Sequence, residues 1–182
     1  LQTRFWQEDK GLFAAYLYPS YLDYARSDRV DIMSNGLCAL LGVAEPGQVQ
    51  KIVSQYPLYP YGGSVLYPTT PDDFAYHNKS IWAVWQTPLM FVASSTGNEA
   101  VSGHLMKSLI RQGAMFLTHK ENMTYDTGFD ENTALNSDRQ LWSVGLRAAG
   151  GRAVDRRTPS ARDRAGGRAA TAVNYCPKPL SP

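Results

Sequence analysis

The sequence predicts an all-α protein that is built of antiparallel helix pairs. Segments whose apolar residues repeat with helical spacing follow one another between residues 27 and 117. Long loops rich in Tyr, Pro and Gly separate the pairs. Helices that are neighbours in sequence pack antiparallel and bury their apolar faces against each other. The chain of 182 residues, 43% apolar and 12% aromatic, is long enough to form one such core.

The charged residues divide the chain at about residue 145. Residues 1–145 carry 10 basic and 14 acidic side chains, whereas residues 146–182 carry 8 basic and 2 acidic ones. The second region is rich in Arg, Ala and Gly and cannot bury enough apolar area to offset its chain entropy, so we predict a disordered tail. A basic arm that binds nucleic acid and an out-of-frame or fused extension are both open interpretations. We favour the extension and expect no nucleic-acid partner.

The sequence also argues against several classes of protein. It has no run of about 18 uncharged apolar residues, so we expect no membrane partner, and its start does not resemble a signal peptide. Because it begins with Leu, we expect a fragment. No Gly-rich phosphate loop, paired-Cys zinc pattern or serine nucleophile elbow is present. His77, His104 and His119 lack metal-ligand spacing, and we predict neither a metal nor another cofactor.

The first elements are a strand pair and two helices. Apolar residues flank the polar turn Gln7–Gly11, which is typical of a β-hairpin. A helix then begins at Ser27 or Asp28, either of which can cap it, and ends at Gly42. The second helix begins at Pro46, because proline suits the first turn of a helix.

A long aromatic loop and two further helices follow. The loop Tyr56–Phe74 is too long for a plain connection, and ordered loops of this length usually have a function. The third helix, Ser80–Thr96, is apolar on nearly every side, so we predict that it is buried and that Pro88 kinks it. The fourth, Asn98–Leu117, has two apolar sides, which predicts contacts on both. Its second apolar side consists of Met106, Ile110 and Leu117.

Two stretches combine flat aromatic rings with polar groups. The first, residues 75–86, contains Tyr76, His77, Asn78, Lys79, Trp82 and Trp85. The second, residues 119–143, contains five carboxylates together with Tyr125 and Trp142. Sugar rings have apolar faces and polar edges, so this mixture of side chains predicts a carbohydrate site.

Three short motifs in these stretches resemble those of one enzyme family. YHNKSIW, residues 76–82, is similar to the YWRGPIW-type motif of glycoside hydrolase family 63 and related α-glucosidases. ENMTYDTG, residues 121–128, resembles the E-N-x-x-x-x-T-G motif that presents their catalytic base, and QLWSV, residues 140–144, resembles their aromatic-Ser-Trp-Ser motif. The resemblance implies a partial (α/α)6 toroid of the six-hairpin type. Residues 1–145 would be the C-terminal part of the catalytic domain, followed by the tail, residues 146–182.

The resemblance also implies roles for the matching residues. Glu121 takes the position of the general base, and Asp126 is the second candidate, ahead of Asp130 and Glu131. The substrate-binding residues would be Tyr76, His77, Asn78, Trp82, Tyr125, Asp126 and Trp142. His77 stands where the family has Trp, so we expect the substrate specificity to differ.

The general acid is expected to be missing from this chain. In the family it is an Asp upstream of the segment that residues 5–18 resemble. Asp23, Asp28 and Asp31 do not match its motif, since their setting is that of a helix start. An inverting glycosidase needs both groups, an acid for the leaving oxygen and a base for water.

We therefore expect a fragment of an α-glucosidase-like enzyme that is inverting and exo-acting and hydrolyses oligosaccharides. We expect the isolated fragment to be inactive. The alternative is a non-catalytic carbohydrate-binding or structural fragment. The expected partner is an oligosaccharide, and bacterial periplasm or export is the favoured location. The sequence specifies neither the sugar and its linkage nor the oligomeric state.

Overall fold

Helices and short strands alternate along the chain. The computed structural model describes residues 1–70, 75–130, 136–141 and 143. Its named helices are α1 (Gln2–Phe5), α2 (Ile32–Leu40), α3 (Pro46–Gln55), α4 (Ala75–Asn78), α5 (Ala83–Ser95) and α6 (Glu99–Phe116). Its strands are β1 (Trp6–Gln7), β2 (Leu12–Phe13), β3 (Leu17–Pro19), β4 (Tyr24–Arg26), β5 (Val30–Asp31), β6 (Leu66–Tyr67), β7 (Ser80–Trp82) and β8 (Asn122–Thr124). Consecutive strands pair into antiparallel two-stranded sheets, β1–β2, β3–β4, β5–β6 and β7–β8. The predicted tail lies outside the described residues.

The prediction of an all-α, partial (α/α)6 toroid is wrong. Among the described residues, 45% are helical and 20% are strand, so the structure is a mixed one. The strands after β2 escaped prediction because each has only two or three residues, too few to show the alternation of apolar and polar positions that identifies a strand. The expected hairpin near the start is confirmed, since Trp6 pairs with Phe13 and Gln7 with Leu12.

Helix α5 lies at the centre of the apolar core. It packs against α2 on one side and α6 on another. Nine of its 13 residues are buried, which confirms the predicted burial. Its Leu89 and the α6 residues Leu105 and Leu109 are among the fully buried side chains. Each such side chain stabilises the fold by roughly 1.5–3 kcal/mol.

Gly36 and Asn35 of α2 determine how α2 packs on its neighbours. A Cβ atom at Gly36 would lie 2.6 Å from the backbone nitrogen of Leu89, so only glycine permits this close approach of α2 to α5. The neighbouring Asn35 is fully buried. Its Oδ1 accepts a hydrogen bond from the Phe13 N–H at 2.8 Å, and its Nδ2 donates to the Phe13 carbonyl at 2.9 Å. Asn35 therefore ties α2 to the first hairpin.

The predicted helix ends agree in part with the structure. Gly42 follows α2 with a φ of 73° and Pro46 opens α3, as expected. The predicted caps Ser27 and Asp28 are wrong, because the chain first pairs with β6 as strand β5 and only then enters α2. Asp31 is the cap instead, accepting a hydrogen bond from the Ser34 N–H at 2.6 Å.

Helix α6 buries one side only. Asn98 caps it by accepting from the Val101 N–H at 3.1 Å. The expected contacts of its second apolar side are wrong for two residues, because Ile110 is 62% exposed and Leu117 is 90% exposed. None of the helices in the described ranges combines the length and the apolar character that crossing a bilayer requires.

Candidate functional site

Strands β7 and β8 bring the two candidate stretches together. Ser80 pairs with Thr124, Ile81 with Met123, and Trp82 with Asn122. These pairs join the YHNKSIW motif to the ENMTYDTG motif, which lie on either side of α5 and α6 in the sequence. The pairing also sets where α5 begins, at Ala83 rather than at the predicted Ser80.

The central contact of the site is a hydrogen bond between Tyr76 and Glu121. The Tyr76 hydroxyl, on the short helix α4, donates to Oε1 of Glu121 at 2.6 Å. Glu121 precedes β8 and is only 7% exposed. Its Oε2 accepts from the Ser137 N–H at 2.9 Å, and its own N–H donates to the Ser137 carbonyl at 3.0 Å. The carboxylate is therefore held in place from two directions.

The environment of Tyr76 keeps its hydroxyl protonated. Burial, followed by the hydrogen bond to Glu121 and the charge of that carboxylate, raises the pKa of Tyr76 to about 12. At neutral pH the phenol is consequently a constant hydrogen-bond donor to Glu121.

Tyr76 belongs to a cluster of four aromatic rings, together with His77, Trp82 and Trp85. Trp82, 2% exposed, is the most buried of the four and contacts the other three. Tyr76 meets it edge-on with ring centroids 5.0 Å apart, His77 stacks on it at 5.0 Å, and Trp85 lies at 5.1 Å. Since other rings cover Trp82, the accessible aromatic surface belongs to the exposed His77 and the half-buried Tyr76 and Trp85.

Asn78 is engaged within the protein. Its Nδ2 donates to the Thr70 carbonyl at 2.7 Å, and its Oδ1 accepts from the Thr70 N–H at 3.0 Å and from the Arg29 guanidinium. With 4% of its surface exposed, this amide anchors α4 to the preceding loop. The predicted role of Asn78 in binding substrate therefore competes with these internal hydrogen bonds.

Two further predicted residues, Tyr125 and Asp126, contact other groups. Tyr125 is 6% exposed and packs on Tyr59 with ring centroids 4.3 Å apart. Asp126 is exposed and accepts a hydrogen bond from the Thr127 N–H at 2.9 Å. Trp142 and Glu131 lie outside the described residues.

Asp130, another candidate base, belongs to a group of ion pairs. Its carboxylate pairs with Lys120, which also pairs with Asp138. Its Oδ1 accepts from Nδ2 of Asn136 at 2.6 Å. The hydrogen bond to Asp130, then that to Asp138, raises the pKa of Lys120. A carboxylate that is neutralised in this way is a poor base for water.

Sequence reasoning missed the groups that hold Glu121 and its surroundings. The Ser137 N–H is a backbone donor, and backbone donors leave no signal in residue types. Lys120 and Asn136 had only a weak signal, since both are polar. The sequence does not show that both contact Asp130, because that depends on how distant parts of the chain pack together.

Two open cavities lie in the described part of the chain. The larger, about 560 Å³, is bounded by the first hairpin, Asp28 and the Tyr67–Pro68 segment, and no predicted site residue lines it. The smaller, about 370 Å³, adjoins the aromatic rings because Trp85 forms one wall. Within the described residues, no group of three or more His, Cys, Asp and Glu side chains could hold a metal ion.

Comparisons of this chain with protein-family models, with curated proteins and with solved structures give no match. The glycosidase resemblance consequently depends on the three motifs, and the function remains a prediction.

Proposed function

We propose that Tyr76 and Glu121 form the base side of a glycosidase site, in an enzyme that hydrolyses α-linked glucosides with inversion. The observation that carries this proposal is the 2.6 Å hydrogen bond from the Tyr76 hydroxyl to a carboxylate that is only 7% exposed. The two residues come from two motifs that resemble the same enzyme family. The Tyr76 ring lies next to the carboxylate and contacts the His77 ring edge-on, and flat rings beside polar groups suit a sugar ligand.

The geometry suits a general base. A carboxylate accepts about four hydrogen bonds, and those from Tyr76 and Ser137 occupy one on each oxygen. The remaining lone pairs can accept a proton from water, which attacks the anomeric carbon from the face opposite to the leaving group. Tyr76 orients the carboxylate, and orientation of a reacting group lowers the entropic part of the barrier.

We assign only the base and name no general acid among the described residues. Asp23 lies 3.8 Å from Arg4 and Asp28 lies 3.4 Å from Lys10, so both are engaged at the surface. A test must therefore use a substrate whose leaving group departs without protonation. α-Glucosyl fluoride is such a substrate, since fluoride is a stable anion.

We expect the chain to release fluoride from α-glucosyl fluoride and to form β-glucose, which NMR distinguishes from the α anomer. Glu121→Gln should reduce the rate by about 10²-fold or more, because removal of a general base commonly costs that factor. The matched change Glu99→Gln, at an exposed position on α6, should leave the rate unchanged. An unchanged rate in Glu121→Gln, or loss of the rate in Asp126→Asn instead, would reject Glu121 as the base.

A second candidate function is carbohydrate binding without catalysis. The observation in its favour is that both oxygens of Glu121 already accept hydrogen bonds within the protein, which is typical of a structural carboxylate. This function predicts that the chain binds an α-glucoside, whereas neither the original chain nor Glu121→Gln releases fluoride.

A further inference from the structure

We propose that Lys120 is a positioning residue for Glu121, because its ion pair with Asp138 holds the segment that carries Ser137 against that carboxylate. This inference rests on the proposed function. It gives a role to a residue that none of the three motifs contains, since ENMTYDTG begins at Glu121, one residue after Lys120.

Residues 120–122 contact residues 136–138 in reverse order. The three pairs are Lys120 with Asp138, Glu121 with Ser137, and Asn122 with Asn136. The middle pair holds the proposed base, and one outer pair lies on either side of it. The position of the Ser137 N–H therefore depends on whether its two neighbours in the chain stay attached.

Lys120 has two carboxylate partners that differ in exposure. The side chains of Lys120 and Asp130 are 14% and 8% exposed, whereas that of Asp138 is 69% exposed. Asp130 also accepts a hydrogen bond from Nδ2 of Asn136 at 2.6 Å. Because charges with little water around them are screened only weakly, Asp130 fixes the Lys120 ammonium, and the ammonium in turn holds Asp138.

Neutral hydrogen bonds support the same segment. The Thr118 hydroxyl donates to the Asp138 carbonyl, and the Gln140 N–H donates to the His119 carbonyl at 2.9 Å. A hydrogen bond between charged groups is about twice as strong as a neutral one. The Lys120–Asp138 pair is therefore the strongest single attachment next to Ser137.

Loss of this attachment would act on the base through Ser137. The Ser137 N–H holds Oε2 of Glu121, while the Tyr76 hydroxyl holds Oε1. Without the Ser137 donor the carboxylate keeps one of these two bonds and can turn away from its position. A reacting group that is misplaced by about 1 Å can lose on the order of 10²-fold in rate. The Tyr76 ring stays in place, so sugar binding is not weakened.

Asp138→Asn tests the inference, because it removes one charge and leaves the buried Lys120–Asp130 pair intact. Lys120→Met is less suitable, since it would leave Asp130 buried without its cation. We expect kcat for α-glucosyl fluoride to fall about tenfold or more, with KM unchanged. Hydrogen exchange of the Ser137 amide, followed by NMR, should become about tenfold faster. Asp138→Glu keeps the charge and should restore both values.

Asp23→Asn is the matched control. The Asp23 side chain is 69% exposed, like that of Asp138, and it lies 3.8 Å from Arg4 in a surface ion pair. This change should leave kcat, KM and the exchange of the Ser137 amide as they are in the original chain. A purely structural role of the Lys120–Asp138 pair predicts faster exchange throughout the chain, whereas positioning predicts it at Ser137 and Glu121.

The outcomes separate this inference from the proposed function. If Asp138→Asn keeps the original kcat, or if its exchange rises evenly along the chain, the positioning role is overturned and the proposed function stands. If the original chain releases no fluoride, the proposed function fails and the positioning role fails with it. A tenfold lower kcat together with local exchange at Ser137, both restored in Asp138→Glu, supports the inference.

Discussion

The phenol of Tyr76 and the carboxylate of Glu121 stabilise each other. A hydrogen bond to a charged group is stronger than one between neutral groups, and Glu121 has little water around it to replace the phenol. The other predicted residues act through different contacts. Asn78 fixes α4 to Thr70, and Trp82 supports His77 by stacking.

Tyr76→Phe should lower the free energy of unfolding by about 1.5–3 kcal/mol, the usual contribution of a hydrogen bond to a charged group. Because folding raises the pKa of Tyr76 from 10 to about 12, the protonated phenol contributes stability that is fully present below pH 10. This contribution is lost as pH rises from 10 towards 12. Urea unfolding of both chains across this range should show their difference shrinking with pH.

Tyr21→Phe is the matched control, since Tyr21 is 98% exposed and its hydroxyl is solvated. This change should leave stability near neutral pH within about 0.5 kcal/mol. A Tyr76→Phe chain as stable as the original at neutral pH would show that the hydrogen bond to Glu121 is not formed in solution.

The sequence predicts some helices and strands better than others. Helix α3 is predicted by the proline in its first turn and α6 by its capping residue Asn98. Both signals are local, because they act within a few residues. Strands β5 and β7 depend on partners that are distant in sequence, and pairing with them takes residues away from the predicted starts of α2 and α5. Strands so short have no periodicity of their own.

The close contact of α2 with α5 leads to a testable prediction about how these helices pack. Gly36→Ala would place a methyl group 2.6 Å from the Leu89 nitrogen, so the two helices must separate. We expect a loss of about 1–3 kcal/mol in the free energy of unfolding, as for other overpacked cores. Chemical denaturation followed by circular dichroism measures this loss.

Gly103→Ala, within α6, is the control for this change. No heavy atom outside its own helix lies within 4 Å of a Cβ there, so alanine should stabilise the helix by about 0.5–1 kcal/mol. Equal stability of the two variants would contradict the close packing of α2 on α5.

The molecule as a whole couples a helical core to a site built on short strands. The β7–β8 pair joins the start of α5 to the chain that follows α6, so these two helices position the site. The sequence motifs predicted one pair correctly, since Tyr76 and Glu121 do meet. They could not predict the donors from Ser137 or the role of Lys120, because these depend on how residues 136–138 return to β8.

A crystal structure of the Glu121→Gln chain with maltotetraose tests the proposed sugar site most directly. Glutamine keeps an oxygen that accepts from Tyr76 but cannot act as a base, so the sugar should stay uncleaved. We predict one sugar ring within hydrogen-bond distance of the amide at position 121, next to the Tyr76 ring. A ligand bound elsewhere, with the side chain at position 121 still covered by Tyr76 and Ser137 alone, would contradict it.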